Sequence, residues 1–289
     1  MLCLLLLAVQ LATPSATHAV IVSGDQSGYD TASGAGSGWD YLGTVSGASG
    51  IYLGQYNGYS WVLTAAHVGP GTFTLASTAY NYVANTYVQI TGTDLGVFQI
   101  DGNLSLPNLT LAATTPAIGS SVTMIGYGRN RASDLTTWYV DTNAWSWDES
   151  QFSGWDATYN GYKLADGQTK RWGTNLVSGT AIISYGYGNV KSLYTTFDNS
   201  AGEAQGAPGD SGGGVFWNNG GTPELAGVMV TIASYSGQPA NTSVYGNQTY
   251  AVDIAQYRNQ ILAVIPEPST LVLTLMAVPL LFRRRRQPR

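Results

Sequence analysis

Gly209-Asp210-Ser211-Gly212-Gly213-Gly214, followed by Val215-Phe216, is the stretch on which the reading of this chain turns. Four glycines around one Asp-Ser pair suit neither a helix nor a strand interior. They suit a tight turn that holds a serine hydroxyl exposed beside free backbone N–H groups, with a strand following at once. A Gly-rich surface hairpin would look much the same. The turn becomes chemistry only if the chain also supplies a base and an acid.

Outward from the turn, the flanks read as β structure. Residues 180–187 and 193–198 are strand-like, and a Gly/Ala/Pro loop, 201–208, delivers the chain to the turn. Residues 215–217 and 225–233 return as strands. Tyr250-Ala251-Val252 then leads into a helix, with Asp253 as N-cap and Ile254, Tyr257, Ile261, Leu262 and Val264 at helical spacing. In the first half, runs 41–45 and 50–54 precede the hairpin signal Asn57-Gly58 and the buried strand that starts at Trp61. That strand ends in Thr64-Ala65-Ala66-His67. Residues 72–90 alternate apolar and polar as another hairpin, and Asp94 opens the apolar run 95–100. Charged residues are only 10 % of the chain, while Gly, Tyr, Trp, Thr and Val are plentiful. That composition favours strands and turns over helices.

Both ends read as processing segments. Residues 1–19 carry an apolar run, 2–11, then Thr-Pro-Ser and a small-residue site at Thr17-His18-Ala19. This is a signal-peptide layout, although no Lys or Arg precedes the apolar run. The only cysteine, Cys3, leaves with it, as does His18. A mature chain then has no disulfide and no thiol nucleophile, and His67 is its sole histidine. No metal site and no cofactor is expected. At the other end, residues 266–289 begin Pro266-Glu267-Pro268, continue with an apolar stretch at 271–282 and finish on the basic run 283–286. The apolar stretch, interrupted by Pro279, falls short of the ~17–25 residues of a stable span. These three parts resemble the PEP-CTERM sorting signal of Gram-negative bacteria. The resemblance implies an exosortase-type processing enzyme as partner, export to the cell surface or medium, and transient membrane contact at both termini. An ordinary C-terminal membrane anchor is the alternative.

Between the ends, residues 20–265 hold 7 basic and 16 acidic side chains. Such a body is repelled by phosphate backbones, so nucleic acid is not an expected partner. Five of the eight tryptophans fall in 129–173: Trp138, Trp145, Trp147, Trp155 and Trp172. They suit either a β excursion packing its aromatics on the body or a carbohydrate-binding surface.

Sequence order thus supplies His67, Asp94 and Ser211, each at the edge of an apolar strand. A serine hydroxyl needs a base that titrates near neutrality, and imidazole is that base. The imidazole needs an acceptor on its other nitrogen. A developing oxyanion needs two convergent N–H donors, for which Gly209 and Ser211 are placed. Asp94 lies only 27 residues beyond His67, and Asp101 is an available rival.

Thr-Ala-Ala-His, Asp-Leu-Gly-Val-Phe and Gly-Asp-Ser-Gly-Gly, in that order, resemble the trypsin-like serine proteases of the chymotrypsin fold. Gly126-Tyr127-Gly128 and the terminal helix extend the likeness over 20–265. The resemblance implies an all-β protein of two six-stranded antiparallel β-barrels with the site between them and a C-terminal helix. It implies His67 as general base, Asp94 as its orienting acid, Ser211 as nucleophile, and the N–H groups of Gly209 and Ser211 as oxyanion hole. It places Gln205 in the specificity pocket, where a neutral residue argues against Arg or Lys preference. It also pairs Asp210 with a new N-terminal amine. Ile21-Val22-Ser23-Gly24 resembles the family's mature start, yet cleavage after Ala19 would leave Val20 first. The implied function is an exported serine endopeptidase acting on polypeptides. The alternatives are an esterase on the same machinery, or a catalytically inactive surface-binding protein of that fold.

Overall fold

The computed structural model describes residues 20–32 and 37–265; the signal-like and sorting-signal-like stretches lie outside them. Asn57 and Gly58 take positive φ, 50° and 82°, as a two-residue hairpin turn with the right twist requires. They join Ala48–Tyr56 to Tyr59–Ala65 at the centre of a seven-stranded antiparallel sheet. On one side lie Leu42–Val45, Phe73–Leu75 and Thr78–Tyr80; on the other, Leu95–Ile100 and Val88–Gln89. The sheet rolls until Tyr82 bridges Ile100 and the Val83 N–H donates to the Gln99 carbonyl at 2.9 Å. The lobe therefore closes as the expected six-stranded barrel: 78–89 serves as one interrupted strand, paired with Phe73–Leu75 at its start, laced to Leu95–Ile100 by isolated bonds and paired with it again at Val88–Gln89. The lacing stretch, 81–86, includes Asn85 at a left-handed φ of 64°, which breaks the ladder there.

The second lobe is a closed six-stranded barrel. Around it run Arg171–Ser184, Asn189–Thr196, Gln248–Asp253, Thr222–Ala233, Gly214–Asn219 and Ser121–Gly126, each pair antiparallel. Helix Ile254–Val264 follows, and Asp253 caps it by accepting from the Ala255 N–H at 3.1 Å. One apolar core runs through both lobes, with Ile51, Leu63 and Phe98 from the first and Phe216, Leu225 and Val252 from the second. Each such side chain, fully buried, stabilises the fold by about 1.5–3 kcal/mol relative to exposure. The two lobes are therefore held together by packing rather than by cross-links.

Residues 129–168 form a further small sheet. Arg129–Arg131, Ala157–Gln168, Thr136–Asp141 and Ser146–Asp148 lie side by side, and Thr242–Val244 pairs with the longest of them. Trp138 is buried with Val140 and Val244, and the rings of Trp145, Trp147, Tyr159 and Tyr235 pack around them. Trp172 lies against Tyr29, with ring centroids 4.8 Å apart. Packing thus accounts for four of the five tryptophans in this region; Trp155, at the surface, lies edge-on to Tyr139.

The N-terminal strand Ile21–Val22 is short but firmly held. It pairs with Ala204–Gln205, Ile21 opposite Gln205. Arg131, from the small sheet, lies 3.6 Å over the Tyr162 ring and donates to the Val22 carbonyl at 2.9 Å and to the Gly24 carbonyl. This clamp holds the chain just after Val20, whose N–H faces the Asp210 carboxyl.

Candidate active site

Strand register brings the histidine and aspartate together. Tyr59–Ala65 pairs antiparallel with Leu95–Ile100, Ala65 opposite Leu95. Asp94, just before one strand, therefore lies beside the residues just after the other. Its main-chain carbonyl accepts from the Ala66 N–H at 3.1 Å. Its side chain does more: Oδ1 accepts from the His67 N–H at 2.8 Å, and Oδ2 lies 2.6 Å from His67 Nδ1. Asp94 is wholly buried, while about a third of the His67 side chain is exposed. The carboxylate fixes the ring and leaves Nε2 on the open side. Asp101 stands elsewhere, bonded to Asn81 at the surface.

The Ser211 turn is hung on the same sheet by a residue that sequence reasoning passed over. Ser49 lies two residues before the Ile51–Leu63 pair, at the His67 end of its strand. Its N–H donates to the Ser211 carbonyl at 2.9 Å, and its hydroxyl donates to the Gly209 carbonyl at 3.0 Å. The same hydroxyl accepts from the Tyr127 N–H at 2.8 Å. The Ser49 carbonyl in turn accepts from the Thr64 hydroxyl at 2.7 Å. A serine within Gly-Ala-Ser-Gly carries no signal of such a role. Gly209 takes φ of 98°, open to glycine and strained for any side chain. Among the described residues, the Gly209 N–H and the Ser211 N–H donate to no protein acceptor. Two free donors therefore flank the serine, as an oxyanion site needs. No hydrogen bond joins the Ser211 hydroxyl to His67 among the described residues; such contacts commonly close only on substrate binding.

Asp210 points the other way, into the body. Oδ2 accepts from the Ala207 N–H at 2.7 Å. A Cβ on Gly126 or Gly128 would collide with this carboxyl, at 2.1 and 2.6 Å, which gives the Gly-Tyr-Gly motif its physical reason. The N–H groups of Val20 and Gly128 face the carboxyl, yet neither closes to a well-aligned bond, and among the described residues Oδ1 has no partner. It is thus Val20, not Ile21, whose nitrogen reaches Asp210; Ile21 lies one residue on, opposite Gln205. Burial pushes the Asp210 carboxyl up to about 7, against the pull of these N–H groups and of the Arg171 charge. Arg171 is itself buried and pushed down to about 9, with Nε and Nη2 unpartnered among the described residues and Nη1 on Gln26.

Beside Ser211 opens a cavity of about 200 Å³ walled by Gly206, Ala207, Pro208, Met229, Ile232 and Thr249. Gln205 is buried and does not line the cavity; it stands behind Thr249, whose hydroxyl donates to Gln205 Oε1 at 3.1 Å. The Thr249 hydroxyl accepts in turn from the Gly206 N–H at 2.8 Å. Asp210, the one carboxyl among the lining residues, is turned to Ala207. The other lining side chains are uncharged.

No protein-family model and no curated relative matches the chain by sequence. Among solved structures it is similar to the Rv3671c protease of M. tuberculosis in an inactive form, at 16% identity and a TM-score of 0.45, covering 79% of this chain and 90% of that one. It is similar to the apo MamO protease domain from Magnetospirillum magneticum, at 16% identity and a TM-score of 0.48, covering 78% and 98%. A third is the HtrA-type protease AlgW with decapeptide, at 19% identity and a TM-score of 0.45, covering 75% of this chain but only 51% of that one.

The Asp210 environment has a measurable consequence. A carboxyl whose folded pKa of about 7 lies above its ordinary 3.8 holds its proton more tightly when folded. Its contribution to stability is present at low pH and is lost as pH rises through about 7. A chain extended ahead of Val20 is expected to lose stability over that window, and Asp210→Asn should flatten the loss. Urea midpoints across the pH range check this; identical profiles for the two chains would contradict it.

Proposed function

We propose that this chain is an exported serine endopeptidase that cleaves polypeptides through an acyl-enzyme intermediate. The observation that carries the reading is the bonding of one buried carboxylate to both the ring and the backbone N–H of the sole histidine in 20–265, at the sheet end where Ser211 is anchored. In this scheme His67 Nε2 takes the Ser211 proton as Oγ attacks the scissile carbonyl carbon. The N–H groups of Gly209 and Ser211 receive the oxyanion. The imidazolium, steadied by Asp94, then protonates the leaving amine through Nε2, and the acyl group stays on Ser211. Water attacks next, with His67 again as base, and the acid product and free serine are released. The neutral cavity beside Ser211 receives the side chain ahead of the cut bond.

Export supplies the start of the mature chain. Removal of 1–19 turns the Val20 N–H into an α-ammonium beside Asp210, giving that half-satisfied carboxyl the counter-ion it lacks. Signal removal is then also the step that sets the Ser211 turn. The C-terminal sorting signal, processed by an exosortase-type enzyme, decides where the mature protein ends.

A fluorophosphonate probe tests the chemistry. The chain beginning at Val20 should label, Ser211→Ala should not, and chains carrying extra residues ahead of Val20 should label more slowly. Absence of labelling in the Val20 chain would overturn the reading. Specificity has its own check in a series of peptide anilides. Substrates with Ala, Val or Leu before the cut should exceed those with Arg or Lys by about 100-fold in kcat/KM, because a charged side chain would be buried unpaired. Preference for Arg or Lys would contradict the assignment of this cavity.

A further inference from the structure

Asp94 receives a third hydrogen bond, from the other lobe. The Tyr185 hydroxyl donates to Asp94 Oδ2 at 3.1 Å, the oxygen that also meets His67 Nδ1 at 2.6 Å. Asp94 belongs to the rolled seven-stranded sheet. Tyr185 stands at the tip of the hairpin between Arg171–Ser184 and Asn189–Thr196, in the closed barrel. That tip reads Tyr185-Gly186-Tyr187-Gly188, with both glycines at positive φ, 99° and 89°. The turn lays two aromatic rings toward the opposite lobe. The Tyr187 ring lies 5.9 Å from that of Tyr185 and 6.3 Å from the His67 imidazole. From the first lobe, the Tyr87 hydroxyl reaches the Ala66 carbonyl at 3.5 Å and adds to the same wall.

The placement needs a reason. A tyrosine at a hairpin tip can satisfy its hydroxyl with water at no cost, whereas this one turns inward onto a buried anion. Burial, then the Asp94 charge, pushes the Tyr185 phenol above its ordinary range, so it stays a donor. A charged acceptor makes such a bond stronger than a neutral one. With Oδ1 held by the His67 N–H and Oδ2 held by the phenol, the carboxylate cannot swing away from Nδ1.

We propose that Tyr185 is a positioning residue for the His67–Asp94 pair, supplied by the second lobe. The inference rests on the serine-hydrolase reading. Tyr185 touches no substrate atom in this role; it acts through the carboxylate. The alignment of the two lobes is thereby coupled to the orientation of the base.

Tyr185→Phe keeps the ring and removes only the hydroxyl. It should lower kcat about tenfold, the effect of losing one hydrogen bond to a charged group, with KM held within about twofold. The thermal midpoint should stay near that of the wild type. Rates of fluorophosphonate labelling, readable even in slow variants, give the second arm: in an Asp94→Asn background the same change should add nothing. Unchanged kcat, a loss confined to KM, or an undiminished loss in the Asp94→Asn background would each overturn the proposal. The two readings fail separately. A wild type that does not label sinks the hydrolase reading, whereas a wild type that labels beside an equally fast Tyr185→Phe sinks only the role of the tyrosine.

Discussion

A carboxylate with no exposed surface sits at the junction of the two lobes, and the rest of the site is arranged around satisfying it. Burying such an anion unpaired costs several kcal/mol. Asp94 avoids that cost with donors from three directions: the His67 backbone, the His67 ring and the Tyr185 hydroxyl. Two of these belong to the first sheet and one to the barrel. The carboxylate therefore orients the imidazole and also records that the lobes are correctly docked. The continuous apolar core behind it keeps that docking rigid without a cross-link.

Asp210 is the counterpart, and its state is the opposite. Fully buried as well, it has among the described residues one good hydrogen bond, an oxygen with no partner and a nearby buried arginine that is itself short of partners. The glycine backbones at 126 and 128 leave room for the carboxyl but give it no charge partner. What it faces is the nitrogen of Val20. The first carboxylate is complete as the chain folds; the second, on the proposed reading, acquires its cation when the chain is cut. On the proposed reading, one chain thus uses folding to orient its base and processing to set its nucleophile turn.

Much of this was legible in the residues, for identifiable reasons. Glycine-rich punctuation, an Asn-Gly turn and alternating apolar runs carry strand order locally, and Asp253 with its apolar spacing carries the helix. His67 and Asp94 each stand at a strand end, and one register pair, Ala65 with Leu95, suffices to bring those ends together. What could not be read depends on contacts between segments distant in sequence. Ser49 and Tyr185 are ordinary in their local context; only tertiary placement makes one the hanger of the turn and the other a donor to Asp94. The choice of Val20 over Ile21 rests on a pairing of two residues, Ile21–Val22 with Ala204–Gln205, too short to signal its register. The tyrosines of the Tyr-Gly-Tyr-Gly tip held the one available hint, since large aromatics at an exposed turn need a partner.

The central claim is that Asp94 holds the His67 ring with its proton on Nδ1 and Nε2 bare. Because His67 is the only histidine in 20–265, its imidazole nitrogen and bridging-proton resonances in the processed protein need no assignment. Nuclear magnetic resonance should show the neutral ring protonated on Nδ1, with a strongly deshielded bridging proton that disappears in Asp94→Asn. A ring protonated on Nε2, or a bridging proton that survives the substitution, would contradict the account.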